Sequence, residues 1–413
     1  MNNNSQFGDD GVRLHQLDSP DERCNGFTLF RHAHSAINDL ERTGPDFLAR
    51  YLNGGWMIGA SKKGQLLGVV NGYDSSITLP GGTSIKHLSV THVGVSAEAT
   101  RRGIARNLLT QQLRMAREAG YVVAGLRASN ATIYGRYGYG VASFSVRHEL
   151  DLSRAELTAP TGYAQVRHVD PLASFDLLRR IAATSPDVRS TTLNRWDGWW
   201  AMQEFRTQHS AVPQHTVVFG ADGVERGFMR FHTQPNDQWL RSSQRCVVVD
   251  DLLAHDDEAW RALIGYLFAK DILHRAVFPS RPQDDPLPLL LNDPRALEIG
   301  ALQDESWIRP LHLQELLAQR SYGEAPAVVL AVEDELFSDH AGPWRIAPGE
   351  IRRTNAAAHA RISIADLASL IFGAQTARNL VAAQRLHGAT AQTVEALDRL
   401  FVVDRKPHSG ILF

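Results

Sequence analysis

Residues 90–120 read VTHVGVSAEATRRGIARNLLTQQLRMAREAG. A β-type run ends at Val95, a short turn follows, and Arg101-Arg102-Gly103-Ile104-Ala105 leads directly into a helical pattern. From Gly103 to Ala119 the apolar positions are Ile104, Leu108, Leu109, Leu113 and Ala116, which share one face of a helix. Gly120 is a natural stop. The next stretch, YVVAGLR, has the composition of a buried strand. Strand, helix and strand in this order predict a β-α-β unit in a mixed or parallel sheet. The helix start reads as an anion cradle. Successive backbone N–H groups converge there, and the helix dipole favours negative charge. Gly103 permits close approach of a ligand, and Arg101 and Arg102 add positive charge. The extended Val93-Gly94-Val95 offers main-chain hydrogen bonds to a ligand carrying amides. The competing reading is an ordinary helix start with two solvated arginines.

Working outward, the 413 residues predict about three domains. The first block, 1–152, contains strands at Trp56–Ala60 and Gln65–Tyr73 around a Lys62-Lys63-Gly64 turn, then IKHLSVTHVGV and the unit above. The second, 153–302, carries strands in HTVVFGADG, ERGFMRFHT and RCVVVDDLLA, and a helix over Asp256–Phe268. It has no glycine-rich turn after a strand, and FPSRPQDDPLPLLLNDPR closes it as an irregular segment. The third, 303–413, has helical HLQELLAQRSY and SIADLASLIFG with a meander of strands between them. The expected classes are α/β for the first two blocks and α+β for the third.

Composition narrows the function by exclusion. Lys+Arg 43 against Asp+Glu 45 gives a net charge of -2, so no basic field argues for nucleic acid or an anionic membrane. Cys24 and Cys246 stand far apart, without a CxxC pair, and fit a reducing cytoplasm. The first residues lack the basic and apolar regions of a signal peptide, and no apolar stretch is long enough to span a bilayer. His32 and His34 form a lone H-x-H with no third ligand, so no metal site is expected. The Walker, zincin and nucleophile-elbow patterns are absent.

The run around Val93-Gly94-Val95 and Thr100-Arg-Arg-Gly-Ile-Ala105 resembles the acetyl-CoA motif of the GCN5-related N-acetyltransferases (GNAT), a V-x-V strand followed by R/Q-x-x-G-x-G/A. Thr100 stands where that pattern has Arg or Gln; its hydroxyl and N–H remain as donors, which implies weaker phosphate binding. A second run, LRASNATIYGRYGYGVAS over 126–143, resembles the signature of the Eis (enhanced intracellular survival) family of actinobacteria. DDPLPLLLNDPR and WIRPLHLQELLAQRSY extend the likeness over nearly the whole chain.

The resemblance implies two GNAT-like domains and a sterol-carrier-like domain. It also implies acetyl-CoA as co-substrate, bound by Val93, Gly94, Val95, Arg101, Arg102, Gly103, Ile104, Ala105, Arg106, Ser129 and Asn130. Catalysis would fall to Tyr134 and the terminal carboxylate of Phe413, with the apolar tail Ile411-Leu412 anchoring the latter. The implied acceptors are amines of aminoglycosides or other polyamines, and the implied assembly is a homohexamer. The chemistry suits these groups. A tyrosine, with an ordinary pKa of about 10, can protonate a leaving thiolate. A terminal carboxylate, at about 3.5, is a weak base whose pKa burial would raise. Tyr137 and Tyr139 read as packing residues. RWDGWW, over 195–200, suits either a polyamine pocket or a core. Two other readings stand beside this one: transfer to a lysine, peptide or other small amine, and a lipid-carrier-like binding protein with a vestigial transferase site.

Overall fold

A computed structural model of the chain describes residues 5–7, 11–35, 44–186, 189–236 and 238–412. Its first sheet begins with strands β1 (Ser5–Phe7), β2 (Val12–Gln16), β3 (Ile58–Lys62), β4 (Gln65–Thr78), β5 (Ser84–Val95), β6 (Val123–Leu126) and β7 (Gly140–Val141). Helices α1 (Pro20–His34), α2 (Pro45–Tyr51), α3 (Ile104–Glu118) and α4 (Ala131–Tyr134) accompany it. β3 begins two residues later than expected and runs to Lys62, where Lys63 (φ 49°) and Gly64 (φ 82°) make a two-residue turn. Positive φ at both positions matches the right-handed twist of the hairpin, with Lys62 opposite Gln65. α3 buries Ile104, Leu108, Leu109, Leu113 and Ala116, the face read from the sequence, and Gln112 with them. It packs across β3, β4 and β5.

The second sheet comprises β8 (Phe144–Asp151), β9 (Val166–Val169), β10 (Gln214–Phe219), β11 (Gly227–Thr233), β12 (Cys246–Ala254), β13 (Arg275–Arg281), β14 (Leu297–Ile299) and β15 (Gln303–Asp304), with α5 (Phe175–Ala183), α6 (Asp197–Gln208) and α7 (Asp257–Phe268). Phe278–Arg281, expected to be irregular, continue β13. β16 (Trp307–Pro310) follows. The third sheet holds β17 (Val328–Glu333), β18 (Gly342–Ala347), β19 (Glu350–Arg353), β20 (Ala360–Ser363) and β21 (Leu386–His387), with α8 (Leu313–Gln319), α9 (Ile364–Phe372), α10 (Ala377–Ala382) and α11 (Ala391–Leu400). Only β17, β18 and β19 form the expected meander; β20 lies parallel beside β17.

Sheet membership crosses two of the block boundaries drawn from the sequence. The first sheet has the order β1-β2-β3-β4-β5-β6-β16-β7, so Trp307–Pro310 insert between β6 and β7. The second has the order β14-β8-β13-β12-β11-β10-β9, so Phe144–Asp151 leave the first block to pair with β13 and β14. In both sheets the strand beyond the central parallel pair comes from far away in sequence. Local patterning carries no signal for such pairing. α9 buries all nine of its residues because it is enclosed by β7 and β16 on one side and by β17 and β20 on the other.

Arg309 of β16, with no exposed side-chain surface, ties the first sheet to the third unit. Its Nη2 donates to both carboxylate oxygens of Asp334 at 2.7 and 2.8 Å, and His340 Nδ1 lies 2.9 Å from Oδ2. Removing one member strands a buried charge. Asp334→Leu should cost about 3–5 kcal/mol in urea unfolding, and Arg309→Met/Asp334→Leu should cost less than either single change.

Candidate active site

β5 and β6 run parallel but pair over only His87↔Val123, Leu88↔Ala124 and Ser89↔Gly125. Past Ser89, β5 continues to Val95, whereas Leu126 of β6 pairs with Trp307. The two strands part and leave a V-shaped opening. A bulge sharpens the bend. Val69 pairs with Gly94 and Asn71 with Thr91, so His92 and Val93 oppose Val70 alone, with His92 at φ 49°. The Ser96 amide donates to the Leu67 carbonyl of β4 at 2.9 Å. Strand alternation then turns the main-chain groups of Val93 and Val95 toward the opening. Gly94 serves a different neighbour: a Cβ there would lie 3.0 Å from Phe30 Cα of α1.

The pole of α3 faces the same opening. Gly103 has φ 77°, and a Cβ would meet only Asn107 Nδ2 at 3.7 Å. The glycine is therefore required by backbone conformation and leaves open space above the helix start. Arg101, Arg102 and Arg106 are exposed around it. Ile104 is buried against Gly68, so it can meet a ligand only through its main chain, whereas Ala105 is half-buried. Thr100 departs from expectation. Its Oγ1 and its N–H both donate to the Ala97 carbonyl, at 3.0 and 3.4 Å, and are not spare donors for a phosphate. The cradle thus fits a pyrophosphate through α3 amides and arginines, and the splayed strands fit the amides of a pantetheine arm.

α4 begins where β6 ends. Asn130 Oδ1 accepts from the Thr132 amide at 3.0 Å and from Thr132 Oγ1 at 2.8 Å, so this side chain is a helix cap. Four residues on, Tyr134 is 5% exposed. Burial raises its pKa above the ordinary value, against a smaller opposing effect of a hydrogen bond from Ser129. The phenol is protonated at neutral pH and close to the end of β6. Tyr139 packs edge-on to it at 6.1 Å and is itself buried, and Tyr137 packs on the same core.

The C-terminal tail threads between the units. The His408 amide donates to Ser190 and the Leu193 amide to Ser409, at 3.0 and 3.1 Å. The Ser409 amide donates to Glu305 Oε2 at 2.9 Å, and Trp199 Nε1 donates to the Leu412 carbonyl at 2.8 Å. Ile411 is buried but Leu412 is 43% exposed, so only one of the two expected apolar anchors is one. Phe413, the expected catalytic terminus, lies outside the described residues. Glu305 reaches from the tail to the end of β6: Oε1 accepts from Arg127 at 2.8 Å and Oε2 from Ser143 at 2.8 Å. Burial alone would raise its pKa, but His408, Arg127 and the Ser409 amide hold it below the usual carboxylate range.

Sequence reasoning missed Glu305, Trp199 as a tail anchor, and an aromatic wall around His92. His92 Nε2 lies 2.9 Å from Tyr51 Oη and its Nδ1 lies 3.2 Å from Asn71 Nδ2. Burial lowers its pKa to about 3, so the ring is neutral. Trp196 stacks on Tyr73 at 5.6 Å, and Tyr73 lies edge-on to His92. In RWDGWW the core reading holds for Trp199 and Trp200, which are both buried. Arg195 pairs with Asp251 at 2.8 Å, Trp200 is core, and Trp199 holds the tail. Only the aromatic cluster in RWDGWW gave a signal. A single acid such as Glu305 gives none. His34 Nδ1 lies 3.2 Å from the Phe30 carbonyl, and no group of three or more metal-ligating side chains occurs among the described residues.

Comparison with known proteins agrees with this geometry. Residues 29–142 and 191–310 each match a family described as an acetyltransferase (GNAT) domain, and 313–410 match a sterol carrier protein domain. The chain is 30% identical over 363 residues to N-acetyltransferase Eis of Mycobacterium tuberculosis, covering 84% of this chain and 85% of that one. It is 30% identical over 335 residues to an uncharacterised N-acetyltransferase of Streptomyces coelicolor, covering 79% and 80%. The crystal structure of Eis1 from Mycobacterium abscessus superposes with a TM-score of 0.90 at 32% identity, covering 97% of this chain and 100% of that one. A GCN5-related N-acetyltransferase from Anabaena variabilis shares the fold, at a TM-score of 0.81 and 17% identity. With two acetyltransferase domains, a sterol-carrier-like domain and the splayed cleft of its first sheet, the chain belongs to the Eis family of GNAT N-acetyltransferases.

Proposed function

We propose that this enzyme transfers the acetyl group of acetyl-CoA to amines of aminoglycosides, at the β5/β6 opening, with Tyr134 and the Phe413 carboxylate as catalytic groups. GNAT domains use acetyl-CoA as co-substrate, and the chain's fit to it is carried by one observation. The open pole of α3 at Gly103 and the free main-chain edge at Val93 and Val95 face the same gap. Val93, Val95, Gly103, Ile104 and Ala105 would bind through backbone groups. Arg101, Arg102 and Arg106 would supply charge, with Ser129 and Asn130 beside the acyl end. Gly94, packed against α1, lies between Val93 and Val95 and belongs to the same binding stretch.

In the reaction the acceptor nitrogen attacks the acetyl carbonyl carbon, and the C–S bond breaks. The thiolate takes the phenolic proton of Tyr134, and the surplus proton on nitrogen passes to the terminal carboxylate. Burial keeps Tyr134 protonated. The carboxylate is intrinsically a weak base, and its larger service is to draw in and orient an ammonium ion. The Trp199 bond to the Leu412 carbonyl supports the placing of that terminus. Half-buried Trp196, whose inner face stacks on Tyr73, suits a cationic acceptor by cation–π attraction at its outer face. The same reading takes the working unit to be a cytoplasmic homohexamer.

Transfer to a peptide or other small amine is the second reading. It is favoured by the half-exposed apolar Leu412 and the neutral His92, which add no negative charge for a polycation. Thiol release from acetyl-CoA with an aminoglycoside panel separates the two: turnover with aminoglycosides supports the first, and turnover only with peptide amines supports the second.

Three outcomes follow on the same assay. Tyr134→Phe should lower kcat about 100-fold or more with little change in the KM for acetyl-CoA. The alkaline limb of the native pH profile, set by a phenol held above its ordinary pKa, should vanish with it. Gly103→Val should raise the KM for acetyl-CoA at least tenfold, since a β-branched residue resists φ 77° and crowds the helix pole. One glycine appended after Phe413 should collapse turnover while leaving acetyl-CoA binding intact in calorimetry. Unchanged turnover would remove the terminal carboxylate from the chemistry.

A further inference from the structure

The second sheet opens as the first does. β12 and β13 run parallel but pair over only Cys246↔Arg275, Val247↔Ala276 and Val248↔Val277. A bulge follows here too: Arg230 pairs with Asp251 and Phe231 with Val249, leaving Asp250 as the extra residue. The helix pole differs. α7 is capped by Asp256, whose Oδ1 accepts from the Ala259 amide at 2.8 Å and whose other oxygen pairs with Arg226. A carboxylate therefore occupies the place where a pyrophosphate would sit, and this second cleft is closed to a CoA-type ligand.

The cleft is nevertheless hollow. A cavity of about 710 Å³ lies between β12 beyond Val248, the end of β13, α6 and the tail segment 408–412. Arg195, Arg206 and Arg230 line it. Arg230 is 5% exposed, and among the described residues its nitrogens donate to neutral groups, Thr207 Oγ1 at 2.6 Å and Gln203 Oε1 at 3.4 Å. Arg195, its side chain 8% exposed, pairs with Asp251, and among the described residues that line the cavity Asp251 is the only buried carboxylate. The next acid, Asp250, is bound to His232. Two buried guanidinium ions thus share one carboxylate, and Arg206 adds a third positive group at the rim. Two polar atoms of this arrangement, Arg195 Nε and Asp251 Oδ2, are buried without a hydrogen-bond partner among the described residues. Buried charge is stable when paired and hydrogen-bonded, and guanidinium groups pair best with planar or tetrahedral oxyanions.

We propose that the central cleft is a second ligand site, which binds a metabolite-sized oxyanion through Arg195, Arg206 and Arg230. The ligand carries a carboxylate or phosphate group for the arginines and a hydroxyl or amino donor for Asp251 Oδ2. The proposal does not depend on which amine the first cleft acetylates. The wall of the site includes the tail, so an occupant touches the segment that ends beside Trp199.

The test is calorimetric titration of the full chain with inorganic phosphate and, separately, with citrate, at ionic strength held constant with potassium chloride. Saturating CoA is present throughout, so that the α3 pole is not read. Saturable one-site binding of either probe is expected, and the tighter probe tells phosphate from carboxylate. Arg206→Gln, an exposed change that leaves folding intact, should weaken it about tenfold, and Arg230→Met should abolish it. If Arg230→Met does not fold, Arg206→Gln alone decides. No saturable binding of either probe, or binding that Arg206→Gln leaves unchanged, would overturn the proposal. So would binding seen only when CoA is omitted, because it would place the anion at α3.

Discussion

The constraint on which the rest of this structure depends is a parallel strand pair that stops after three residue pairs. A parallel ladder normally continues until a strand ends, because an unpaired main chain in a protein interior is costly. Here β5 outruns β6, and its last residues must find other partners. On one edge β4 satisfies them, after a bulge that puts His92 in a left-handed conformation. On the other edge no described residue pairs with Val93 or Val95 in the registers of this sheet, and that edge is open to the amides of a ligand.

Opening one strand pair would expose the far side of β6 unless something covered it. Trp307–Pro310 do so from far along the chain, and Glu305, two residues before them, is carried into the interior with them. Its carboxylate then gathers Arg127 from the end of β6, Ser143 from the start of the second unit, and the Ser409 amide from the tail. One buried acid thereby relates the end of β6 to the tail. Arg309, two residues beyond the inserted Trp307, makes the second tie, to Asp334 of the third unit. The segment 305–309 thus ties the second and third units to the first sheet.

What was legible in the sequence was local. The face of α3, its start at Gly103, the end of β5 at Val95 and the Lys63-Gly64 turn all depend on neighbours within a few residues. Pattern and dihedral preference report them directly. The exchange of β8 and β16 was not legible, because each pairs across some 100 residues or more and both read as ordinary apolar runs. Thr100 was misjudged for a related reason: its spare donors are taken by a carbonyl three residues back, a turn detail that composition cannot convey. The tail was half legible. Ile411 packs as its apolarity suggests, but Leu412 is 43% exposed and is held by its main chain, its carbonyl accepting from Trp199 Nε1.

The two clefts show how the same backbone event supports different chemistry. Each has a truncated parallel pair, a bulge, and a helix that starts over the gap. In the first, a glycine at the helix pole leaves the dipole uncompensated, so the site invites a polyanion from solution. In the second, Asp256 supplies the negative charge from within the chain, and the pole is spent on its own fold. The unbalanced positive charge has moved instead from helix amides to the Arg195 and Arg230 side chains on the opposite wall, buried and facing one carboxylate between them. A cleft of purely structural purpose would have no need of that charge, since apolar residues of similar volume would fill the space at lower desolvation cost.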